Sequence, residues 1–390
     1  MATKPFDMAF IGAGCSSLQL MHQMASADNW HEQQVALFSH EQPQHRSWCF
    51  WSDKPHPLQF LVEKSWQNIS FVSNGLSVTQ NIAPYQYHYI SGAGFFNYFQ
   101  GQFLENHPNV TAIQAHISAV QNNESTAAFT VHNGTQQWAA KQVFNSLPPK
   151  IKKTPDHVCL QQHFKGWFLQ TDTDAFDEDT VTMMDFSIEQ HNDVRFVYIL
   201  PFSKREALVE ITVFSEHTYA DAVYDEVFEN YMDTRFSHVN YTIQNTEKAS
   251  IPMTNAPFSR FGNTGEVLLG AAAGMVKATT GYAFNRISKD SLGLHHDLKQ
   301  QRKLRLANTQ GRFRFYDNLL LGILAESPQR GKEIFEALFS KMSIPTILKF
   351  LDEDTTLAEE MLIFSKLPFW PFLAQVFKQC ILPKIGFSRS

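Results

Sequence analysis

The first apolar run of the chain, Met8-Ala-Phe-Ile11, stops at Gly12-Ala13-Gly14, and from Cys15 to Met24 the apolar positions recur at helical spacing. Strand, tight turn and helix are predicted in that order. The run Gln34-Val-Ala-Leu-Phe38 predicts a second strand and completes a βαβ unit of the length that dinucleotide binding uses. From about residue 70 to 148 the pattern becomes short alternating strands and turns, with one helix expected around Phe95 to Asn106. The segment ends in Val143-Phe-Asn-Ser-Leu-Pro-Pro149, which returns the chain to the nucleotide-binding unit. Four runs rich in β-branched and aromatic residues follow, from His163, Thr180, Val194 and Glu206, with turn signals between them. They read as one antiparallel sheet. A helix is expected from about Asp221 to Phe236, then a short strand, Glu266-Val-Leu-Leu-Gly270, and a loop of small residues through Gly281-Tyr282. From Asp290 onward the pattern is mostly helical, and no apolar stretch reaches the length of about 18 uncharged residues that a spanning helix needs.

The chemistry of the first turn is that of the backbone. Gly12 lets the chain turn sharply, and Gly14 lets main-chain N–H groups approach a pyrophosphate resting on the positive end of the following helix. A Gly-x-Gly turn directly after the first strand, this close to the N-terminus, is where FAD-binding Rossmann domains carry theirs. The third glycine position holds Ser17, a small replacement. The acidic residue expected at the end of the second strand is absent, Ser39 standing there, and Glu41 is the nearest carboxylate that could take the ribose hydroxyls.

These elements predict an α/β fold: a Rossmann-like FAD-binding domain, an inserted antiparallel β-sheet substrate domain and a helical C-terminal region. The nucleotide-binding domain is expected to be discontinuous, from residues 1–75, about 140–155 and 256–300. Residues 76–139 form connecting strands and a helix, 156–255 the substrate domain, and 301–390 the helical end.

Composition adds two constraints. Lys and Arg are scattered and the net charge is −6 over 390 residues, which leaves no electrostatic footprint for nucleic acid. Cys15, Cys49, Cys159 and Cys380 lie too far apart for paired zinc spacing and are too sparse for a disulfide framework, so reduced thiols in a cytoplasm are expected. The first residues carry no pattern of a secretory signal. The 34 phenylalanines are roughly twice what average usage supplies, which fits either a Phe-rich core or a large apolar ligand. The run Leu367-Pro-Phe-Trp-Pro-Phe-Leu-Ala374 leaves the same choice, between a core-packing end and a segment that dips into a membrane surface.

Seven segments together resemble one family, the lycopene β-cyclases, especially the bacterial flavoprotein type. They are Gly12-Ala-Gly-Cys-Ser-Ser-Leu18, Arg46-Ser-Trp-Cys-Phe-Trp51, Gln162-His-Phe-Lys-Gly-Trp167, Met184-Asp-Phe186, Tyr198-Ile-Leu-Pro201, Ala207-Leu-Val-Glu-Ile-Thr212 and Thr280-Gly-Tyr282, in the family's order. The resemblance implies an isomerase that protonates the terminal double bond of an acyclic carotenoid, closes a ring and releases a proton, with reduced FAD present but not consumed and NAD(P)H as its reductant. It marks Glu210 as the catalytic glutamate and Asp185 as a second internal carboxylate. Arg46 is marked as a contact to the flavin or its phosphates, and Gly270, Gly281 and Tyr282 as the cofactor loop. Where the family continues Met-Asp-Phe with arginine, this chain has Ser187. A water-insoluble substrate implies peripheral association with the inner face of the cell membrane. Two rivals stay open: a redox flavoenzyme of the same fold, and a relative that binds flavin or carotenoid without catalysis. Ring type, one-ended or two-ended closure and oligomeric state are not legible.

Overall fold

The structure is a computed structural model that describes residues 4–40, 47–123, 128–148, 151, 154, 157–304 and 311–381. Glu41 and Arg46 therefore lie outside the described residues. Strand β1 (Phe6–Ile11), helix α1 (Cys15–Met24) and strand β2 (Val35–Ser39) form the expected βαβ unit. The chain continues through β3 (Trp48–Ser52), β4 (Lys64–Trp66), β5 (Asn68–Ser73), β6 (Leu76–Asn81) and β7 (Gln86–Ile90). Helix α2 (Gly92–Tyr98) passes through a wider turn into the short α3 (Leu104–Asn106). Strands β8 (Val110–Gln114), β9 (Ala119–Asn123), β10 (Ala128–His132) and β11 (Gln137–Asn145) then return to the first sheet. Its order is β8-β2-β1-β11-β10-β9, and β1 lies parallel to both β2 and β11. A parallel centre needs cover on both faces. α1 supplies one side with Leu18, Leu20, Met21 and Met24 against Phe10 and Phe144.

The second sheet contains β12 (Cys159–Thr171), β13 (Thr180–Asp185), β14 (Val194–Pro201) and β15 (Glu206–Ser215), followed by α4 (Asp221–Arg235) and β16 (Tyr241–Thr254). Its order is β16-β12-β15-β14-β13-β5-β6. Two features depart from the sequence reading. Strands β5 and β6, expected in the nucleotide-binding unit and the connecting segment, extend this sheet, and β5 pairs parallel with β13 while every other pair is antiparallel. Strand β16 was not anticipated at all. It is an edge strand, largely exposed on both faces, so its sequence lacks the apolar alternation that betrays a half-buried strand.

Alternation divides the sheet's two faces. On one, Trp167, Val197, Ile199, Val209, Ile211 and Val213 pack against Tyr224, Phe228, Tyr231 and Met232 of α4, with Trp167 stacked on Phe228 at 4.1 Å. Burying Phe228 and Met232 stabilises the domain by about 1.5–3 kcal/mol each. On the other face, Phe196, Leu200, Leu208 and Phe214 meet a separate core. This core is closed by α6 (Arg312–Glu326), α7 (Arg330–Lys341), α8 (Ile344–Leu351) and α9 (Leu357–Lys366), α10 (Phe369–Val376) lying against α6, whereas β17 (Val267–Leu268) and α5 (Phe284–Lys299) pack with the nucleotide unit's core. The small sheet β3-β7-β4 joins the two units. Trp48, Phe50 and Ile90 face the nucleotide unit's core, whereas Cys49, Trp51, Tyr87 and Tyr89 face the large sheet.

Candidate functional site

At the end of β1 the chain turns at Gly12 with φ +91°, and its N–H donates to Phe38 O at 2.9 Å. A Cβ on Gly12 would lie 2.5 Å from Ser146 Oγ, so the turn itself requires glycine. Gly14 differs. It caps α1 in an extended conformation without a side-chain hydrogen bond, and a Cβ there would meet nothing within 4 Å among the described residues. Ala13, between them, packs at the edge of the β1–α1 core. The first turn of α1 thus has no side-chain cap from Gly14, and its N-terminal end carries the positive pole of the helix. Ser17, fully buried one turn in, has a hydroxyl with no partner among the described residues.

The small-residue loop after β17 comes back to the same place. Gly270, at φ +56°, sits so close to α1 that a Cβ would lie 2.5 Å from Ser16 Oγ. Gly281, at φ +70°, approaches Gln162 as closely, and Gln162 Oε1, Thr280 Oγ1 and Trp51 Nε1 are buried without partners among the described residues. Buried Lys277 anchors the loop by binding Asp317 and Glu353 at 3.1 Å each, and Thr279 donates to Asp317 at 2.9 Å. A free helix end, room at Gly14 and partnerless polar atoms beside it are what a bound dinucleotide would satisfy. The residues present fit such a group.

Glu210 projects from β15 on the face shared by Leu208 and Thr212, toward the small sheet and away from α4. It is buried, and Thr212 Oγ1 donates to its Oε1 at 2.5 Å. Burial, reinforced by the nearby charge of Glu247 and opposed by the Thr212 hydrogen bond, pushes its pKa up to about 8. At neutral pH it holds its proton. Along the row that crosses the sheet, Glu210 pairs with Tyr198 on one side and with Gly166 on the other, and Gly166 pairs in turn with Glu247 of β16. Both oxygens of Glu247 accept from Ser47 Oγ, at 3.2 and 3.0 Å. Burial raises Glu247 to about 6, with the Ser47 hydrogen bonds opposing.

A tyrosine chain covers this row. Tyr87 OH lies 2.8 Å from Tyr198 OH and 3.1 Å from Tyr282 OH, and Tyr282 stands edge-on to Trp51 at 4.8 Å. Burial pushes all three phenols up and the Cys49 thiol to about 12, so every one is neutral at pH 7. Tyr282 therefore belongs both to the Gly281 loop and to the wall over Glu210. Beside them Cys49, Trp51, Tyr282 and Arg286 line a small cavity of about 20 Å³.

Asp185 is not brought to this row. It ends β13 on the opposite face, where its Oδ1 accepts from Ser187 N–H at 2.8 Å and its Oδ2 accepts from Tyr231 OH of α4 at 2.9 Å. It closes a turn and ties α4 to the sheet. Sequence reasoning missed Glu247, Tyr87 and Ser47. Glu247 lies in a polar edge strand with no periodic signal, and the other two reach the row only through the fold.

The fold is that of flavoproteins. It is similar to a flavoprotein/dehydrogenase from Cytophaga hutchinsonii (TM-score 0.55, 11% identity, 93% of this chain and 99% of that one). It is similar to a geranylgeranyl bacteriochlorophyll reductase-like protein from Thermoplasma acidophilum (TM-score 0.55, 9% identity, 97% of each chain). The flavin-dependent monooxygenase PieE, solved in complex with FAD and substrate, is also similar (TM-score 0.56, 12% identity, 97% and 73%). At such identities the likeness is one of fold alone. No curated protein matches the chain at a significant level. The sequence profile of the lycopene cyclase family, described as lycopene cyclase protein, matches residues 7–376, and the chain belongs to that family.

Proposed function

We propose that the protein is a carotenoid cyclase that converts lycopene, or a related acyclic end group, to a β-ring product such as β-carotene without net oxidation. The observation that carries this is Glu210, a buried carboxylic acid held protonated at neutral pH under a wall of tyrosine and tryptophan. Such an acid is suited to protonating an alkene, which is a weak base. The tertiary cation formed is captured by a neighbouring double bond, and a ring proton leaves. Trp51, Tyr87 and Tyr282 keep water from trapping the cation as an alcohol. Asp185 supports the sheet and not the chemistry.

FAD would be held by the Gly12–Ala13–Gly14 turn, the N-terminal end of α1 with Ser17, and the loop carrying Gly270 and Gly281. Glu41 is the candidate for its ribose and Arg46 for the flavin or its phosphates. When bound in its reduced form, with NAD(P)H as the reductant, it supplies a negative field for the carbocation. Expression in cells that accumulate lycopene tests the reading directly. A cyclised carotenoid is expected in the extract, and unchanged lycopene despite folded, flavin-loaded protein would refute it.

We further propose that the protein docks peripherally on the inner face of the cell membrane. Among the described residues no helix is long and apolar enough to cross a bilayer. Phe369, Trp370, Leu373 and Phe377 nonetheless stand exposed on and just after α10, Trp370 at 76%, with Leu357 and Met361 exposed on α9. From Leu362 to Ser390 the chain carries Lys366, Lys378, Lys384 and Arg389 and no acidic residue, although the whole chain is acidic. An apolar patch within a cationic stretch of sequence suits an anionic lipid surface. The protein is expected to float with phosphatidylglycerol vesicles and less with phosphatidylcholine. Phe369→Ser and Trp370→Ser should each weaken binding roughly tenfold or more, from about 1.5–3 kcal/mol of lost apolar burial. Flotation unchanged in both variants would remove this surface from the interaction.

A further inference from the structure

The row through Glu210 has a gap in it. Gly166 of β12 sits between the two glutamates and is paired with both, so neither has a side chain between it and the other. A Cβ on Gly166 would lie 3.4 Å from Glu247 Cγ, 3.5 Å from Glu210 Cβ and 2.8 Å from Leu208 Cδ1. Strand spacing of about 4.8 Å places the two glutamate backbones about 10 Å apart. Paired positions on neighbouring strands project to the same face, so the two glutamates stand on one face on either side of Gly166, in the row that Tyr198 continues. The space directly over Gly166 is taken up by Leu208 and the stems of both glutamates. The two carboxyls are chemically unlike. Thr212 donates to Glu210 in a buried setting, whereas two hydrogen bonds from Ser47 favour the ionised form of Glu247.

We propose that Glu247 is the base that takes the ring proton, completing a cycle that Glu210 begins. This rests on the cyclase reading above. The Glu210 O–H bond breaks as a C–H bond forms on the terminal alkene, and the neighbouring π pair closes the C–C bond. A ring C–H bond then breaks, its electron pair becoming the ring double bond and its proton passing to Glu247. One proton enters and one leaves, nothing is oxidised, and proton transfer through solvent resets the two acids. Glu210 raised to about 8 and Glu247 to about 6 leave the acid protonated and the base ionised between those values. The other titratable groups facing the pair, Cys49, Tyr87, Tyr89, Tyr198 and Tyr282, are all pushed up by burial and stay neutral across that range.

The test compares lycopene cyclisation against pH in the wild type, Glu210→Gln, Glu247→Gln, Ser47→Ala and Gly166→Ala at matched flavin occupancy. Glu247→Gln should fall about 10²-fold and lose the acid-side limb. Ser47→Ala, which keeps the base but removes its hydrogen bonds, should move that limb to higher pH. Gly166→Ala, whose Cβ would press on Leu208 and on the stems of both glutamates, should fall by about 10²-fold through displacement of the two carboxyls. Infrared titration of the protonated carboxyl band, independent of turnover, should show Glu210 titrating lower in Glu247→Gln, because a like charge has gone. Wild-type cyclisation with Glu247→Gln retaining its rate and its acid-side limb overturns the assignment while leaving the cyclase reading intact. A Glu247→Gln profile shifted only on the alkaline side, with turnover within a few fold of wild type, also overturns it, because Glu247 would then merely tune Glu210. Absence of cyclised product from the folded, flavin-loaded wild type removes both proposals together.

Discussion

At pH 7 Glu210→Gln is expected to cyclise lycopene roughly 10²- to 10⁴-fold more slowly than the wild type, the usual cost of losing general acid help. The amide keeps the shape of the carboxyl and still accepts from Thr212 Oγ1, which binds Oε1 at 2.5 Å in the native protein. Fold and flavin content should survive, since the replaced acid is already neutral at this pH. The sign of the pH dependence follows from the same burial. A carboxyl raised to about 8 keeps its proton below that value and loses it above, so wild-type turnover should fall as pH rises past about 8. In deuterated water the product should carry solvent deuterium at the newly protonated ring carbon, because the acid exchanges before it reacts. Equal rates in the two proteins would take Glu210 out of the mechanism. Stoichiometric oxidation of flavin during turnover would replace the cyclase reading with a redox enzyme of the same fold.

Gly14→Val is expected to yield folded protein without bound yellow flavin. Two glycines in this one turn make opposite demands on the chain. Gly12 has a positive φ and a neighbour 2.5 Å from any Cβ, so its replacement strains the chain itself. Gly14 is extended, with nothing within 4 Å of a Cβ among the described residues, so these leave room for a side chain there. A ligand resting on the N-terminal end of α1 would collide with it, and overpacking costs about 1–3 kcal/mol in a well-filled site, or roughly 5- to 150-fold in affinity. Thermal melting of the apoprotein should be nearly unchanged in Gly14→Val and lowered in Gly12→Val. Full flavin occupancy in Gly14→Val would mean that the cofactor does not lie on this helix end.

The βαβ unit was legible because its information is local. Apolar spacing changes from strand to helix across Gly12–Gly14, and those glycines have backbone demands that a sequence displays. The runs that became β12 to β15 were legible because each is rich in β-branched and aromatic residues between turn signals, as strands buried on both faces are, and α4 behind them because it buries one face at helical spacing. Glu210 entered through its place in the segment Ala207-Leu-Val-Glu-Ile-Thr212, and alternation along β15 settled its face.

What the tertiary structure decided was non-local. Strand β16 buries too little to leave a period, so neither the strand nor Glu247 on it could be read in advance. That β5 pairs with β13, more than a hundred residues away, depends on a parallel crossover that leaves no local mark. Asp185 and Glu210 look alike in sequence, each a carboxylate among apolar neighbours. Asp185 ends β13 against Tyr231, on the side covered by α4, while Glu210 faces the tyrosines. The alignment of Glu247, Gly166 and Glu210 in one row exists only through the hydrogen-bond register of three strands drawn from positions eighty residues apart. Periodicity reports which face a residue takes within its own element. Register and sheet order, set by packing across the whole chain, determine which residues meet.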